Sequence, residues 1–419
     1  FGVAMAGTCS WSVSGGGSIS AAGLFTAGTS DVVTLTHTVT ATDGPVSGTA
    51  AITVAVGGWS MYISVPGYFD RADTLTNFPA LLVLSNNVGG SGFDYSTLLT
   101  TNGCDLRFTD AAGTTNLSYE IESWDPGGAS YVWVQVPALP GNGAGGFWAT
   151  WGDPAATNRL PCTTNGATWS QGYQLVEHFT CTGGTAVADS SPFRRTATIT
   201  SAAYSWKNPG PSSGCLRMFS GLNDRVDLGT TTNVHLSNGW WTASAWFMNL
   251  QPATAARTLF RGNVNDHQVI VKNGSTALGT QTNTTFQQCG TATLSPPNGT
   301  WHQVTAVATG GVTRMYVDGV PLGSAGCKST NDIRCINNYQ SGGQKFAEYI
   351  DEVRIATAGR SRDWVWAEYM TVASPGSFLQ YGAAASVSTP QIDAACNANG
   401  CITPAGSVET PTDRVYVRV

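Results

Sequence analysis

Apolar and polar residues alternate with a period of two along most of this chain. The clearest case is Thr412-Asp-Arg-Val-Tyr-Val-Arg-Val419, where Val415, Val417 and Val419 alternate with Tyr416 and Arg418. One face is uniformly β-branched and apolar, the signature of a half-buried strand. A lone strand leaves its backbone N–H and C=O groups unpaired, so this one must join a sheet elsewhere. The stretch before it, Ser386 to Pro411, is rich in Ser, Thr, Pro, Ala and Gly and offers no strand of comparable strength.

The other end of the chain needs a strand. Ser10–Ser14, Val32–Thr40 and Thr49–Val56 read as strands, with Gly2–Ala6 a fourth and turns at Gly15-Gly-Gly17 and Asp43-Gly-Pro45. Val3, Trp11, Val13, Val33, Leu35, Val39, Ile52 and Val54 are the apolar positions expected to accept the missing strand. Further on, Met61–Val65, Ala80–Leu84, Asp105–Thr109, Tyr119–Ser123, Tyr131–Val136 and Phe147–Trp151 are strands between Gly- and Pro-rich turns. Val317 and its neighbours run into an Asp318-Gly319 hairpin turn. Asp363–Met370 is the one stretch that suits a helix, short, amphipathic and opened by an acidic cap.

A chain of 419 residues is too long for one core and calls for two to four domains. Its 20 Lys and Arg against 26 Asp and Glu give a net charge of −6 with no basic run, which excludes a nucleic-acid face. Only 11% of residues are charged, so the polar surface comes from Thr, Ser, Asn, Gln and Gly, a secreted-type composition. Ten cysteines then read as disulfides. Cys396 with Cys401 and Cys327 with Cys335 are the close pairs, and at least eight thiols are expected to be bonded. No apolar run is long enough to span a membrane. A first residue of Phe rather than Met reads as a processed or partial chain. Asn116, Asn273, Asn283 and Asn298 open glycosylation sequons.

Three resemblances follow from longer motifs. Trp11-Ser-Val-Ser-Gly-Gly-Gly-Ser-Ile-Ser, Gly23-Leu-Phe-Thr-Ala-Gly28 and the segment Thr38 to Val54 resemble the later part of bacterial immunoglobulin-like domains of surface proteins. Such a sandwich has about seven strands in about 100 residues, so the opening strands are reduced or absent here. Asn102-Gly-Cys-Asp-Leu-Arg-Phe-Thr-Asp110, Leu117-Ser-Tyr-Glu-Ile-Glu-Ser-Trp124 and Tyr131-Val-Trp-Val-Gln-Val-Pro137 are similar to a bacterial domain of unknown function that often precedes lectin-like jelly rolls. That resemblance implies architecture and no chemistry. Tyr173-Gln-Leu-Val-Glu-His-Phe179, Asp224-Arg-Val-Asp-Leu-Gly229, Trp240-Trp-Thr-Ala-Ser-Ala-Trp246, Gly299-Thr-Trp-His-Gln-Val304 and Tyr349-Ile-Asp-Glu-Val-Arg-Ile355 resemble a laminin-G-like, concanavalin A-type jelly roll.

Candidate chemistry is sparse. Glu120-Ile-Glu-Ser-Trp-Asp125 resembles the acidic strand of concanavalin A-type laminarinases, but its second and third acids depart from that order and it lies before the jelly roll. Like charges on a solvated strand face explain Glu120 and Glu122 better than a paired-carboxylate glycosidase does. Glu348 and Glu352 would share a face in a regular strand, with Asp351 opposite. By resemblance, Asp189 and Asp351 stand where such jelly rolls hold calcium; the competing expectation is that Asp351 and Glu352 organise turns or pair with Arg354. The five histidines are scattered, with His302 read as structural. Trp240, Trp241 and Trp246 read as core more readily than as a sugar platform.

The expectation is therefore an all-β chain: an immunoglobulin-like sandwich, a second β-sandwich and a concanavalin A-like jelly roll in tandem, with a C-terminal donor strand. The boundaries are an incomplete domain over 1–57, the second unit over 58–165, the jelly roll over 166–382, a linker with a disulfide loop over 383–411 and the donor strand over 412–419. The expected role is an extracellular, non-enzymatic subunit whose partner is another copy of itself, joined head to tail into a filament. A carbohydrate-binding adhesin module is the alternative and a glycoside hydrolase the third reading. No cofactor is required, calcium being the one a jelly roll would take.

Overall fold

A computed structural model of the chain describes residues 10–14, 18–21, 24–26, 35–54, 58–153, 156, 158–181, 183–230, 233–236, 239–262, 266–387, 391–394, 396–397, 400–401 and 414–416. The protein is all-β, and every strand pair among the described residues is antiparallel.

The first unit, the head, has two small sheets. One runs in the order Ser10–Ser14, Leu35–Asp43, Val46–Val54 and then Gln391–Ala394; the other runs Ser18–Ile19, Leu24–Thr26, Arg414–Tyr416. The period-two pattern is visible in the Leu35–Asp43 strand, where His37, Val39 and Ala41 are buried and Thr38 is exposed. Phe25 is buried with its ring 5.4 Å from that of His37. Trp11 and Val13 are half-buried between exposed serines. Leu35 stands opposite Val54, and His37 opposite Ile52. Val3, Val33 and the expected Gly2–Ala6 strand lie outside the described residues, as does Cys9.

In the tail, the described strand Arg414–Tyr416 lies within the expected 412–419, with Val415 opposite Phe25; Thr412, Asp413, Val417, Arg418 and Val419 lie outside the described residues. The presumed linker supplies a second strand, Gln391–Ala394, along Val46–Val54. Gln391-Ile-Asp-Ala394 has one large apolar residue, so no hydrophobic alternation announced it. Both pairings are made within the chain. The linker also begins with Ala385–Val387, which pairs with Gly58–Ser64 and sets Val387 opposite Gly58.

The middle unit packs the sheet Leu75–Leu84, Ser130–Leu139, Tyr119–Ser123 on a sheet containing Gly58–Ser64, Gly146–Trp151 and Arg107–Asp110. Phe78, Leu82, Phe108, Phe147 and Trp151 fill the space between them. The expected jelly-roll boundary at 382 is corrected, because the chain returns to the middle unit after its last jelly-roll strand. The helix Arg362–Ala373 carries Trp364, Ala367 and Val372 into the middle core, joined by Phe378, Leu379 and Tyr381. Its cap is Ser361, whose hydroxyl accepts from Trp364 N–H at 3.2 Å. Asp363, expected as the cap, sits in the first turn and accepts instead from the backbone of Ala72 and Asp73.

The jelly roll stacks two eight-stranded sheets over one core that includes Leu216, Trp241, Phe247, Leu259 and Phe260. The predicted hairpin is present: Val312–Val317 turns into Val320–Ala325 through Asp318 at φ 51° and Gly319 at φ 72°. Two successive positive φ values match the strand twist, which is why Asp-Gly serves there. The Asp318 carboxylate accepts from His302 Nδ1 at 2.7 Å, so His302 is structural as expected.

The disulfide expectation is overturned where the thiols are described. Cys104, Cys162, Cys181, Cys215, Cys289, Cys327 and Cys335 are all free. Only seven residues separate Cys327 from Cys335, but they carry the chain from one sheet to the other. Cys327 follows Val320–Ala325, whereas Cys335 lies within Ile333–Ile336 of the opposite sheet. Cys396 and Cys401 face each other in register across a short hairpin, with their side chains outside the described residues.

Candidate functional site

The middle unit and the jelly roll meet across buried charge. Tyr119–Ser123 is an edge strand, so Glu120 and Glu122 project from one of its faces. That face meets the jelly roll and not solvent, which corrects the expectation of a solvated pair. The Glu122 side chain is fully buried and that of Glu120 is 16% exposed. Trp133 donates its indole N–H to Glu122 Oε2 at 2.7 Å, and Trp169 donates to Glu120 Oε2 at 2.5 Å. The Ser213 and Ser212 hydroxyls donate to Glu122 Oε1 at 2.6 and 3.1 Å, and Ser190 donates to Glu120 Oε1 at 2.5 Å.

His178 follows the Tyr173–Glu177 strand, its ring centroid 5.7 Å from that of Trp133 and 5.3 Å from that of Trp169. Its Nδ1 donates to Glu352 Oε1 at 2.6 Å and lies 3.7 Å from Glu122 Oε2. Its Nε2 is 4.0 Å from Glu120 Oε2 and has no hydrogen-bond partner, although the side chain is only 4% exposed.

A β-bulge brings Asp351 and Glu352 to the same place. Register against Trp241–Leu250 passes from Trp246 opposite Asp351 to Ser244 opposite Arg354, so Glu352 and Val353 together face Ala245. Glu352 adopts φ 47°, and such an extra residue re-aims its neighbours. Ser212 Oγ then lies 3.3 Å from Asp351 Oδ2 and 3.2 Å from Glu352 Oε1. The regular-strand expectation that Glu348 and Glu352 share a face is thereby overturned. Glu348 pairs with Arg217 at 2.6 Å on the outside. The ion-pair expectation is met, since Arg354 donates to Glu352 Oε2 at 2.5 Å. The Arg354 guanidinium stands over Trp133 and Trp169 at 4.4 and 5.1 Å.

Burial favours loss of the His178 proton, but Glu352, Glu122 and Glu120 outweigh it and push its pKa up to about 9. Burial likewise disfavours ionised Glu352, yet His178 and Arg354 hold its carboxyl below the ordinary range. For Glu122, burial and then the Glu352 charge raise the carboxyl; the same two causes push Asp351 well above its ordinary value. At neutral pH an imidazolium and a guanidinium therefore flank the Glu352 carboxylate, while burial beside that charge shifts Asp351 and Glu122 toward their protonated forms.

Ligating atoms of Glu122, His178 and Glu352 lie within 4.8 Å of one another, a spacing that metal centres also use. Here, however, each oxygen of both carboxylates already accepts from an N–H or O–H group, the arrangement of an ion-pair network. Asp189 and Asp351 do not belong to that group. Asp189 organises a turn, accepting from Val176 N–H, Ser191 N–H and Arg195 N–H at 3.0, 2.8 and 2.8 Å. Asp125 does the same for Gly127 N–H. Trp241 is core, Trp246 stacks on Tyr369 of the helix, and Trp240 is exposed. The four sequon asparagines are all exposed.

The charged cluster opens into a cleft of about 260 Å³, whose lining includes Glu120, His178, Ser190, Thr163, Arg159 and Arg194. His178 is the residue that sequence reasoning missed. No spacing rule marks a lone histidine, and its one signal was a Glu-His pair closing an apolar strand. The other notable surface is the head itself, where each of the two sheets ends in a strand supplied by the tail.

Residues 220–365 match the concanavalin A-like lectin/glucanases superfamily. Residues 102–184 match a domain of unknown function, DUF2341. The first match contains four of the five jelly-roll motifs, Tyr173–Phe179 falling inside the second, which contains all three of its own motifs; neither reaches the head. No curated protein matches the chain. Among solved structures, domain 4 of an extracellular arabinanase from Geobacillus stearothermophilus is 17% identical with a TM-score of 0.36, over 47% of this chain and 98% of that one. A Trypanosoma rangeli sialidase is 11% identical with a TM-score of 0.37, over 84% of this chain and 70% of that one. Likeness at these scores assigns no activity to this chain.

Proposed function

We propose that this chain is an extracellular structural subunit that polymerises head to tail into a filament, the tail of one copy supplying the strands that complete the head of the next. One observation carries the proposal: the head takes a strand for each of its two sheets from the far end of the chain. Without Gln391–Ala394 and Arg414–Tyr416, Val46–Val54 and Leu24–Thr26 are edge strands with unpaired backbone groups. A pairing that closes within one chain is met equally by a second copy, as in strand exchange. Because donor and acceptor are different surfaces, exchange between copies need not close into a ring. The low charge and the lectin-type jelly roll support a place outside the cell.

The test is removal of residues 388–419, followed by electron microscopy and sedimentation. The intact chain is expected to form filaments and the truncated chain to remain single, with a free peptide of residues 388–419 blocking growth. An intact chain that stays monomeric at high concentration, or a truncated one that still polymerises, overturns the reading.

A further inference from the structure

We infer that the cleft beside His178 binds an acidic sugar unit, one ring hydroxyl bridging His178 and Glu120 on the floor and the sugar carboxylate meeting Arg159 and Arg194 at the mouth. His178 lines the cleft, and its Nε2 is buried without a hydrogen-bond partner, a costly state for a polar atom. Its pKa of about 9 keeps a hydrogen on Nε2, so this nitrogen is a donor. Glu120 Oε2, an acceptor, lies 4.0 Å away. An oxygen about 2.8 Å from both atoms makes an angle of roughly 90° between them, within reach of a group that accepts one hydrogen bond and donates the other. A hydroxyl has both capacities. Ser190 holds the other Glu120 oxygen in place, so the acceptor is already oriented.

The mouth carries the second half of the recognition. Arg159 and Arg194 are exposed and line the cleft. Their guanidiniums donate to the backbone carbonyls of Asn102 and of Asp189 and Thr164. Among the described residues neither arginine pairs with a carboxylate, leaving both charges for an anion. A volume of about 260 Å³ takes one ring and not an extended chain. The site lies between the middle unit and the jelly roll, so it stands or falls independently of strand exchange.

Calorimetric titration of the intact chain at pH 7 with glucuronic acid, glucose and acetate in parallel tests the site. Saturable binding of glucuronic acid at millimolar concentration is expected, with glucose and acetate each about tenfold weaker or worse. Arg159→Ala and Arg194→Ala, both surface changes that leave the fold intact, should each weaken glucuronic acid about tenfold without altering glucose. His178→Gln should remove binding, with circular dichroism confirming the fold. Equal binding of glucose removes the arginine half of the proposal, and equal binding of acetate removes the hydroxyl half. No saturation by glucuronic acid, or no change in either arginine variant, overturns it outright.

Discussion

The two joints of this molecule are built from different materials. Between the middle unit and the jelly roll, His178 and Arg354 bury their charges against Glu352, and Glu122 beside them is held by an indole and a serine hydroxyl. Between head and tail, the described contacts are backbone pairs along sheet edges. A buried charge tolerates one partner in one position, because displacing it leaves an uncompensated ion. A sheet edge accepts any extended segment of the right pattern. The first joint is suited to permanence and the second to exchange.

Arg354→Ala should do the most damage at the charged joint. It strands Glu352 beside His178 and should cost about 3–5 kcal/mol at the charged joint. Tryptophan fluorescence during denaturant unfolding reads this directly, since Trp133 and Trp169 line the cluster. An unchanged midpoint would mean that the network contributes nothing.

Alkali should act on the same joint. The His178 pKa is raised to about 9, so its contribution is complete below the ordinary value near 6.5 and is lost as pH rises through 9. The order of magnitude is about 3 kcal/mol. Glu352 has the opposite sign: its carboxyl is held low, so its contribution is present above the ordinary carboxylate range and disappears on acidification. Comparison of unfolding midpoints at pH 7 and pH 10 checks the first claim; equal values refute it. Head–tail backbone pairs do not titrate in that interval.

At the head–tail joint, Val415→Pro puts a ring without an N–H in the middle of the strand that pairs with Leu24–Thr26 and should cost about 1–3 kcal/mol. Hydrogen exchange at Leu24–Thr26 should accelerate while the fluorescence transition stays put. Joint movement of both readouts would show that head and body are not separable. The smallest effect expected is from Ser361→Ala, about 1 kcal/mol through loss of the helix cap, seen as a lower melting midpoint.

The sequence made the strands legible because alternation is local. Tyr119–Ser123 and Ser10–Ser14 are observed over the residues predicted. What it hid depends on distant parts of the chain. The faces of Glu120 and Glu122 follow from period two, yet whether that face meets water depends on the jelly roll arriving opposite it. Asp351 and Glu352 were assigned to opposite faces because a bulge is one residue of irregularity that no alternation encodes. The Cys327–Cys335 pairing failed for a related reason, since short separation along the chain gives no warning of a crossing between sheets.

The pairing of Val387 with Gly58 has a mechanical consequence. Those residues are where the chain leaves for the tail and where it arrives from the head, and they are neighbours at the same end of an antiparallel pair. In the proposed filament, tension passes from one head to the next through that single point, and each middle unit and jelly roll hangs beside the line of force. Pulling on Gly58 and Val387 loads the pair as a zipper, one hydrogen bond at a time. The strand Ala385–Val387 should therefore peel at low load and lengthen the subunit reversibly, long before the buried charges of the pendant body feel any strain.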